Sequence, residues 1–267
     1  MVRARGIVVA CVFLLIPVVA TAQRAELAKA RALYNKRQFD DAITAAGAAR
    51  NTPAVADAAA IVQARAHLER YRERADPSDL SAARAALSAI RAADLAPRDR
   101  LEFLLALGQS LFLEDDFGAA AEILESGLAA AAGDADLHDA LLEWWASAID
   151  RHAALQPREA RRAAFERLGD RMSAEIAKNP GSPTAGYWTI VALRGTGNTG
   201  RAWDAAVAGW ARARLMGDRA ASFRGDVNRL VNDGIIPDRV RALPADLRPA
   251  AQAQMRADWE LVKQKWQ

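Results

Sequence analysis

Cysteine, histidine and tyrosine are all scarce in this chain of 267 residues, which contains 1, 3 and 3 of them. The single cysteine, Cys11, lies in an N-terminal segment that we expect to be removed, so the mature chain would carry no thiol. Disulfide bonds, thiolate metal sites and a cysteine nucleophile are then excluded together. The fold must therefore be stabilised by packing alone.

Strand-forming residues are scarce as well. Val and Ile are sparse after the N-terminal segment, whereas Ala is abundant and Gly and Pro recur at intervals. Helix-forming residues therefore dominate. Dinucleotide-binding and hydrolase folds need several buried β-branched runs, which this chain does not offer. The composition predicts an all-α protein.

Neither sign of charge is in large surplus. The chain has 36 basic and 33 acidic residues and a formal net charge of +3. A nucleic-acid-binding surface requires clustered positive charge, and the sequence contains no such cluster. We therefore expect no nucleic-acid partner.

The N-terminus has the pattern of an export signal. Arginines precede an apolar run over residues 7–20, and small residues follow at the end of that run. This pattern predicts a signal peptide over residues 1–22, cleaved after Ala22, and a periplasmic mature protein. The run is too short for a membrane span, which needs about 20 apolar residues, and Pro17 interrupts it.

Two alternatives would keep the protein at a membrane. The leader could stay uncleaved as an anchor, or Cys11 could be lipidated, because residues 8–11 resemble the lipobox of bacterial lipoproteins. The strongest apolar stretch follows Cys11 instead of preceding it, which disfavours lipidation. Membrane contact is expected only in these two cases.

Beyond residue 23 the sequence reads as amphipathic helices separated by short breaks that contain Pro, Gly or Asn. Short connections imply that consecutive helices are antiparallel neighbours. The predicted helices cover residues 24–35, 38–50, 54–74, 78–93, 98–113, 116–132, 135–153, 157–178, 183–194, 200–216, 218–233 and 246–266.

Small residues recur where two of these helices would cross. Gly108 lies in one helix, and Ala120 and Gly127 lie in the next. Larger side chains at these positions would hold the helix axes farther apart than the roughly 8–10 Å of packed helices. Leu111 and Leu124 are expected to fill the space around them.

This pattern resembles the tetratricopeptide repeat, a helix-turn-helix unit of about 34 residues. The resemblance covers about residues 24–216 and is strongest in three units, whose second helices begin near Phe39, Phe117 and Trp203. It implies a right-handed superhelical stack of antiparallel helix hairpins. The spacings between units exceed the family period, so longer helices or inserted loops are expected.

The resemblance also implies a concave face that accepts a peptide or a helix of a partner protein. The first helices of the units line that face. On this sequence, the candidate partner-binding residues are Tyr34, Asn35, Gln109, Phe112 and Trp145.

After the repeats, an apolar stripe runs at three- and four-residue spacings from Leu247 to Trp266. A helix with such a stripe can cap the open end of a stack of repeats. A docking helix for another chain is the alternative. The predicted domains are the leader over residues 1–22, the repeats over 23–216 and a C-terminal helical cap over 217–267.

Seven Trp residues accompany only three Tyr residues. Trp144 and Trp145 are adjacent, and neighbouring side chains on a helix point about 100° apart, so both cannot face one core. We expect core packing for most of the Trp residues. An aromatic surface for a peptide or an apolar ligand is the alternative.

Two short motifs suggest chemistry that their context disfavours. Residues 195–200 match G-x-G-x-x-G, but a dinucleotide fingerprint needs a preceding strand, and residues 187–194 read as a helix. We interpret this motif as an inter-helix turn. Acids and a histidine cluster over residues 134–139, but Trp145 stands where a calcium loop needs a carboxylate. These acids are expected to cap a helix.

The three histidines have no serine or carboxylate partner at a recognisable catalytic spacing. We therefore expect no catalytic residue, no metal and no cofactor. The predicted function is that of a non-enzymatic periplasmic scaffold for another envelope protein or a peptide. The alternative is an exported helical carrier of an apolar small molecule or lipid.

Overall fold

The structure is a computed structural model that describes the backbone of residues 16–266 and the side chains of residues 25–266. This described part is all-helical and contains no strand, as the composition predicts. Its α-helices are α1 (Ile16–Asn35), α2 (Phe39–Ala49), α3 (Ala56–Arg74), α4 (Pro77–Ser88), α5 (Pro97–Leu113), α6 (Phe117–Leu128), α7 (Ala135–Ala154), α8 (Arg158–Lys178), α9 (Pro183–Gly195), α10 (Thr199–Arg212), α11 (Ala220–Leu230), α12 (Ile236–Arg241) and α13 (Arg248–Lys265). Short 3₁₀ segments lie at Ala92–Asp94, Ala130–Gly133, Ala213–Leu215 and Gly217–Arg219.

The predicted leader falls on residues 1–22, whose side chains, Cys11 included, lie outside the described part. Export, cleavage and lipidation therefore stay predictions. Among the described residues, no helix combines the length and the apolar character that a membrane crossing requires.

The chain divides into two compact units, one ending at Leu137 and the other beginning at His138. In the first unit, each helix from α2 to α6 packs against the helix that precedes it. Helix α3 also contacts α1 and α5. These contacts are those of consecutive helix hairpins that pack on their neighbours.

The crossing of α5 and α6 confirms the predicted role of Gly108. A Cβ atom on Gly108 would lie 2.4 Å from Cγ of Leu124. Leu124 and Ala120 are fully buried at this crossing. The missing side chain of Gly108 thus allows the two helices to approach closely.

Three of the inter-helix turns share one backbone geometry. In each, a residue with positive φ is followed by an amide that donates to the carbonyl five positions earlier, which is the hydrogen bond of a Schellman motif. These turns join α1 to α2, α5 to α6 and α9 to α10, the hairpins with the strongest predicted repeat. The residues with positive φ are Arg37 at 60°, Asp115 at 63° and Gly197 at 82°. The amides of Gln38, Asp116 and Asn198 donate to the carbonyls of Leu33, Leu111 and Leu193.

In the second unit, one hydrophobic core includes residues from α9 to α13. Trp259 of α13 is fully buried there, and its ring makes edge-to-face contacts with Trp203 at 5.8 Å and Trp210 at 5.3 Å between centroids. The predicted apolar stripe of α13 therefore covers this core, although Leu247 at its start is 51% exposed. Residues before and after the predicted domain boundary at 216 share the core.

The predicted helix over residues 218–233 is longer in the structure. Helix α11 continues through a π-helical turn, Val231–Ile235, into α12. Pro237 has no amide hydrogen, and in a regular α-helix its ring would clash with the carbonyl four residues earlier. The wider π-helical turn makes room for the ring, so the proline does not end the helix here.

Candidate functional site, a recess with acidic and aromatic walls

A recess of about 430 Å³ lies on the second unit, where α9, α11 and the middle of α7 contribute side chains. Its volume is within the range of ligand-binding sites, which is about 300–1,000 Å³. We call it the Glu143 recess. The side chains that define it are Glu143, Tyr187, Trp188, Arg219, Phe223 and Asp226.

The start of α9 fixes the position of the aromatic residues. The hydroxyl of Ser182 accepts a backbone N–H bond in the first turn of the helix and thereby caps it. Tyr187 and Trp188 follow within the same helix. Gly186 allows α11 to approach, because a Cβ atom there would lie 3.2 Å from the ring of Phe223.

Two of the rings form a right-angled corner. Tyr187 and Trp188 have ring centroids 5.4 Å apart and an angle of 86° between their planes. Phe223 is almost fully buried and packs beneath α9. The faces of aromatic rings carry partial negative charge, so an accessible ring face beside the recess can attract a cation.

Glu143 is the central acidic group of the recess. Its Oε2 accepts a hydrogen bond from Nε1 of Trp188 at 3.0 Å. Loss of bulk water around the carboxyl raises its pKa, the Trp188 bond lowers it, and the charges of Asp139 and Asp226 raise it again. The net pKa is raised, with loss of bulk water as the largest cause, and no Lys or Arg among the described residues forms an ion pair with this carboxylate.

The two neighbouring carboxylates have cationic partners. Oδ2 of Asp139 accepts a hydrogen bond from Arg219 at 2.5 Å. Asp226 accepts one from Arg229 through Oδ1. Ionised Glu143 therefore adds a negative charge that the surrounding side chains do not balance.

The hydroxyl of Tyr187 belongs to the same electrostatic environment. Burial raises its pKa, and the negative charges of Asp226, Glu143 and Asp150 raise it further. The phenol therefore stays neutral at physiological pH and can donate or accept a hydrogen bond. Together, the carboxylates and rings can bind a cation through charge-assisted hydrogen bonds and cation–π contact.

The first two predicted groove residues end α1. Tyr34 is half-buried, and the guanidinium of Arg65 lies 4.6 Å from its ring centroid. Its ring also contacts Phe39, with centroids 5.8 Å apart. Asn35 is exposed. A partner could therefore reach Asn35 and part of Tyr34.

Gln109 and Trp145 do not project into an open groove, contrary to the prediction. Gln109 is 3% exposed, because α5 has α3, α4 and α6 as neighbours and few of its faces meet solvent. Trp145 is fully buried, and Arg167 and Arg171 of α8 lie within 6.0 Å of its ring centroid. Phe112, the remaining predicted residue, is half-buried.

The adjacent Trp residues of α7 differ in exposure, as their helical geometry predicts. Trp145 is fully buried, whereas Trp144 is half-buried. Most of the Trp side chains lie in the interior, as the expectation of core packing predicts. Trp188 is the one among them that also lines the Glu143 recess.

The G-x-G-x-x-G segment is a turn between helices, as predicted. Gly195 ends α9, and a Cβ atom there would lie 2.3 Å from the ring of Phe165. Gly197 has a positive φ, and the side chain of Asn198 caps α10 by accepting the amide of Arg201 at 3.2 Å. Packing and turn geometry therefore account for the glycines, although the segment lines a second recess of about 670 Å³.

The acids over residues 134–139 have separate roles. Asp134 caps α7, since its Oδ1 accepts the amide of Leu137 at 3.2 Å, as predicted. Asp139 binds Arg219 near the Glu143 recess. In the part of the chain that the structure describes, no group of three His, Cys, Asp or Glu side chains could hold a metal ion.

Two histidines have carboxylate partners that sequence spacing did not indicate. Nδ1 of His67 lies 2.7 Å from Oδ1 of Asp79, and Nε2 of His138 lies 3.1 Å from Oε2 of Glu175. Burial alone would raise the pKa of Asp79, but hydrogen bonds from Arg70 and His67 outweigh it and lower the pKa. Asp79 is thus a buried anchor between α3 and α4.

Comparison with known proteins gave no match to a protein-family model, to a curated protein or to a solved structure. The resemblance to the tetratricopeptide repeat therefore depends on the residues of this chain. Function has to be inferred from the geometry of the recess and of the helix hairpins.

Proposed function

We propose that this chain is a non-enzymatic, exported binding protein of the tetratricopeptide-repeat type that holds a basic segment of another envelope protein. The observation that carries the proposal is the carboxylate of Glu143, which is exposed at a recess lined by aromatic residues and has no cationic partner among the described residues. A cationic side chain of the partner would complete the charge balance there. The ring faces of Tyr187 and Trp188 would attract the same cation.

The hairpin geometry supports the repeat part of the proposal. The same Schellman-type turn recurs after α1, α5 and α9, and Gly108 permits a close crossing within one of these hairpins. Stacked hairpins form extended surfaces that suit a peptide segment. Asn35, with the accessible parts of Tyr34 and Phe112, is a second surface that the family resemblance suggests.

The lining of the recesses disfavours the alternative cargo, an apolar molecule or lipid. Charged side chains line three recesses of the described structure. They are Arg162 and Asp170 in the recess of about 670 Å³, Glu143 and Asp226 in the Glu143 recess, and Asp258 in a third recess. An apolar ligand would remove water from these groups without replacing its hydrogen bonds, which is unfavourable.

Fluorescence anisotropy with labelled dodecapeptides tests this proposal. Three peptides of equal length, one rich in Lys, one rich in Glu and one of Ser and Gln, are titrated with the protein. We expect the basic peptide alone to bind, and we expect Glu143→Gln to lower the affinity for this peptide. Glu159→Gln is the matched control, since it removes an exposed charge from α8 of the same unit. Equal binding of all three peptides, or of none, would refute the proposal.

A further inference from the structure

We infer that the Glu143 recess is a binding site for a single ammonium group, which would lie beside the rings of Tyr187 and Trp188. The inference rests on the proposed function only for the source of that group, which is a lysine side chain of the partner segment. A free organic amine has the same chemistry, and the experiment below separates the two sources.

The recess offers hydrogen-bond acceptors of the kind that an ammonium group requires. Among the described contacts, Oε1 of Glu143, Oδ2 of Asp226 and the hydroxyl oxygen of Tyr187 have no hydrogen-bond partner, while Oε2 of Glu143 and Oδ1 of Asp226 accept hydrogen bonds from Trp188 and Arg229. An ammonium group has three N–H donors and no acceptor. The one cationic side chain that lines the recess, Arg219, is already bound to Asp139.

The walls suit the alkyl stem of a lysine side chain as well as its charge. Tyr187, which is half-buried, offers apolar surface beside the carboxylates, and the buried rings of Trp188 and Phe223 support it from behind. A lysine side chain buries its methylene groups on such a surface while its charged end meets polar atoms. The ring faces add cation–π attraction.

Binding of an ammonium group should be coupled to the proton of Glu143. The cation favours the ionised carboxylate, whereas loss of bulk water around the carboxyl and the neighbouring acids raise the pKa of Glu143 in the free protein. Affinity should therefore rise as the pH is raised through that pKa and level off above it. The charged or titratable groups that surround Glu143 are Asp139 on α7, Tyr187 on α9, Arg219 before α11, and Asp226 and Arg229 on α11.

The indole N–H of Trp188 offers a direct readout, because it donates to Glu143. The chain has 7 Trp, so a ¹H–¹⁵N spectrum has few indole signals, and triple-resonance experiments can assign that of Trp188. Titration with Nα-acetyl-lysine amide should move this signal with a Kd of about 1 mM, as expected for a ligand of this size. The same compound with an acetylated Nζ should not move it.

Variants and a second amine complete the test. Glu143→Gln should weaken the lysine compound about tenfold or more, and Glu159→Gln should leave it unchanged within about twofold. An unmoved Trp188 signal, an equal shift with the acetylated compound, or full binding by folded Glu143→Gln would overturn the inference. Cadaverine, a free diamine, identifies the source of the ammonium group. If cadaverine binds as tightly as the Lys-rich peptide, the ammonium-binding site is supported, and the proposal that a partner segment supplies the lysine is refuted.

Discussion

Gly108 offers a sharp test of the hairpin packing, because its neighbour cannot move aside easily. A Cβ atom there would lie 2.4, 2.6 and 3.0 Å from Cγ, Cδ2 and Cδ1 of Leu124. Gly47 is the matched control in the same unit, since its Cβ atom would meet only Nε2 of Gln63 at 3.5 Å. Both glycines are helical, and Gly47 lies in the last turn of α2, so replacement by Ala brings a gain in helix propensity of up to about 1 kcal/mol at each.

The difference between the two variants therefore isolates the packing cost. Overpacking a tight site costs about 1–3 kcal/mol. We expect Gly47→Ala to stabilise the protein slightly, and Gly108→Ala to unfold more readily than Gly47→Ala by about 1–3 kcal/mol. Urea denaturation followed by circular dichroism measures both. Equal midpoints and slopes for the two variants would refute the close crossing.

A second substitution at the crossing checks the cause. Leu124→Ala alone should cost about 2–5 kcal/mol, because the side chain is fully buried. In that background, Gly108→Ala gains space and should no longer destabilise the protein. A cost for Gly108→Ala that persists without the Leu124 side chain would show that the strain arises elsewhere.

Three further predictions concern the turns, the buried acid and the C-terminal helix. Gly197→Ala should cost about 1 kcal/mol in thermal unfolding because its φ is positive, whereas Gly133→Ala, which also meets no atom within 4 Å, should be nearly neutral. Asp79→Ala should cost about 3 kcal/mol, since it leaves His67 without its carboxylate partner and Arg70 with Asp40 alone. The pKa of Asp79 is lowered in the folded state, so its contribution to the free energy of unfolding should be complete above about pH 4. This contribution should be lost as the pH falls through the lowered pKa. A series of urea titrations at different pH values measures the loss. Trp259→Ala should cost about 3–5 kcal/mol, whereas Leu261→Ala on the same helix, at a site 63% exposed, should change the stability by less than about 0.5 kcal/mol.

Local patterns predicted the features that depend on neighbours in sequence. The small residues at the α5–α6 crossing and the turn at Gly197 follow from spacing within one hairpin, and the structure has both. The α11–α12 continuation was missed, because Pro237 reads as a helix stop unless a π-helical turn precedes it.

The recess could not be predicted in the same way. Glu143, Tyr187 and Asp226 come from three different helices, and no motif in the sequence relates their spacings. The burial of Trp145 likewise depends on α8 lying across it, which a single-helix pattern does not reveal. To predict which side chains meet through tertiary packing, the register of several helices must be known at once.

Site-specific photo-crosslinking in intact cells tests the binding role most directly. A photoreactive residue is placed at Ser222, which is exposed at the rim of the Glu143 recess, and at Ser126 on α6 as an exposed control. We expect Ser222 to capture an envelope protein through a Lys-containing segment, and Glu143→Gln to abolish the capture. Equal crosslinking from Ser126, or capture from Ser222 that Glu143→Gln leaves unchanged, would contradict the proposed binding role.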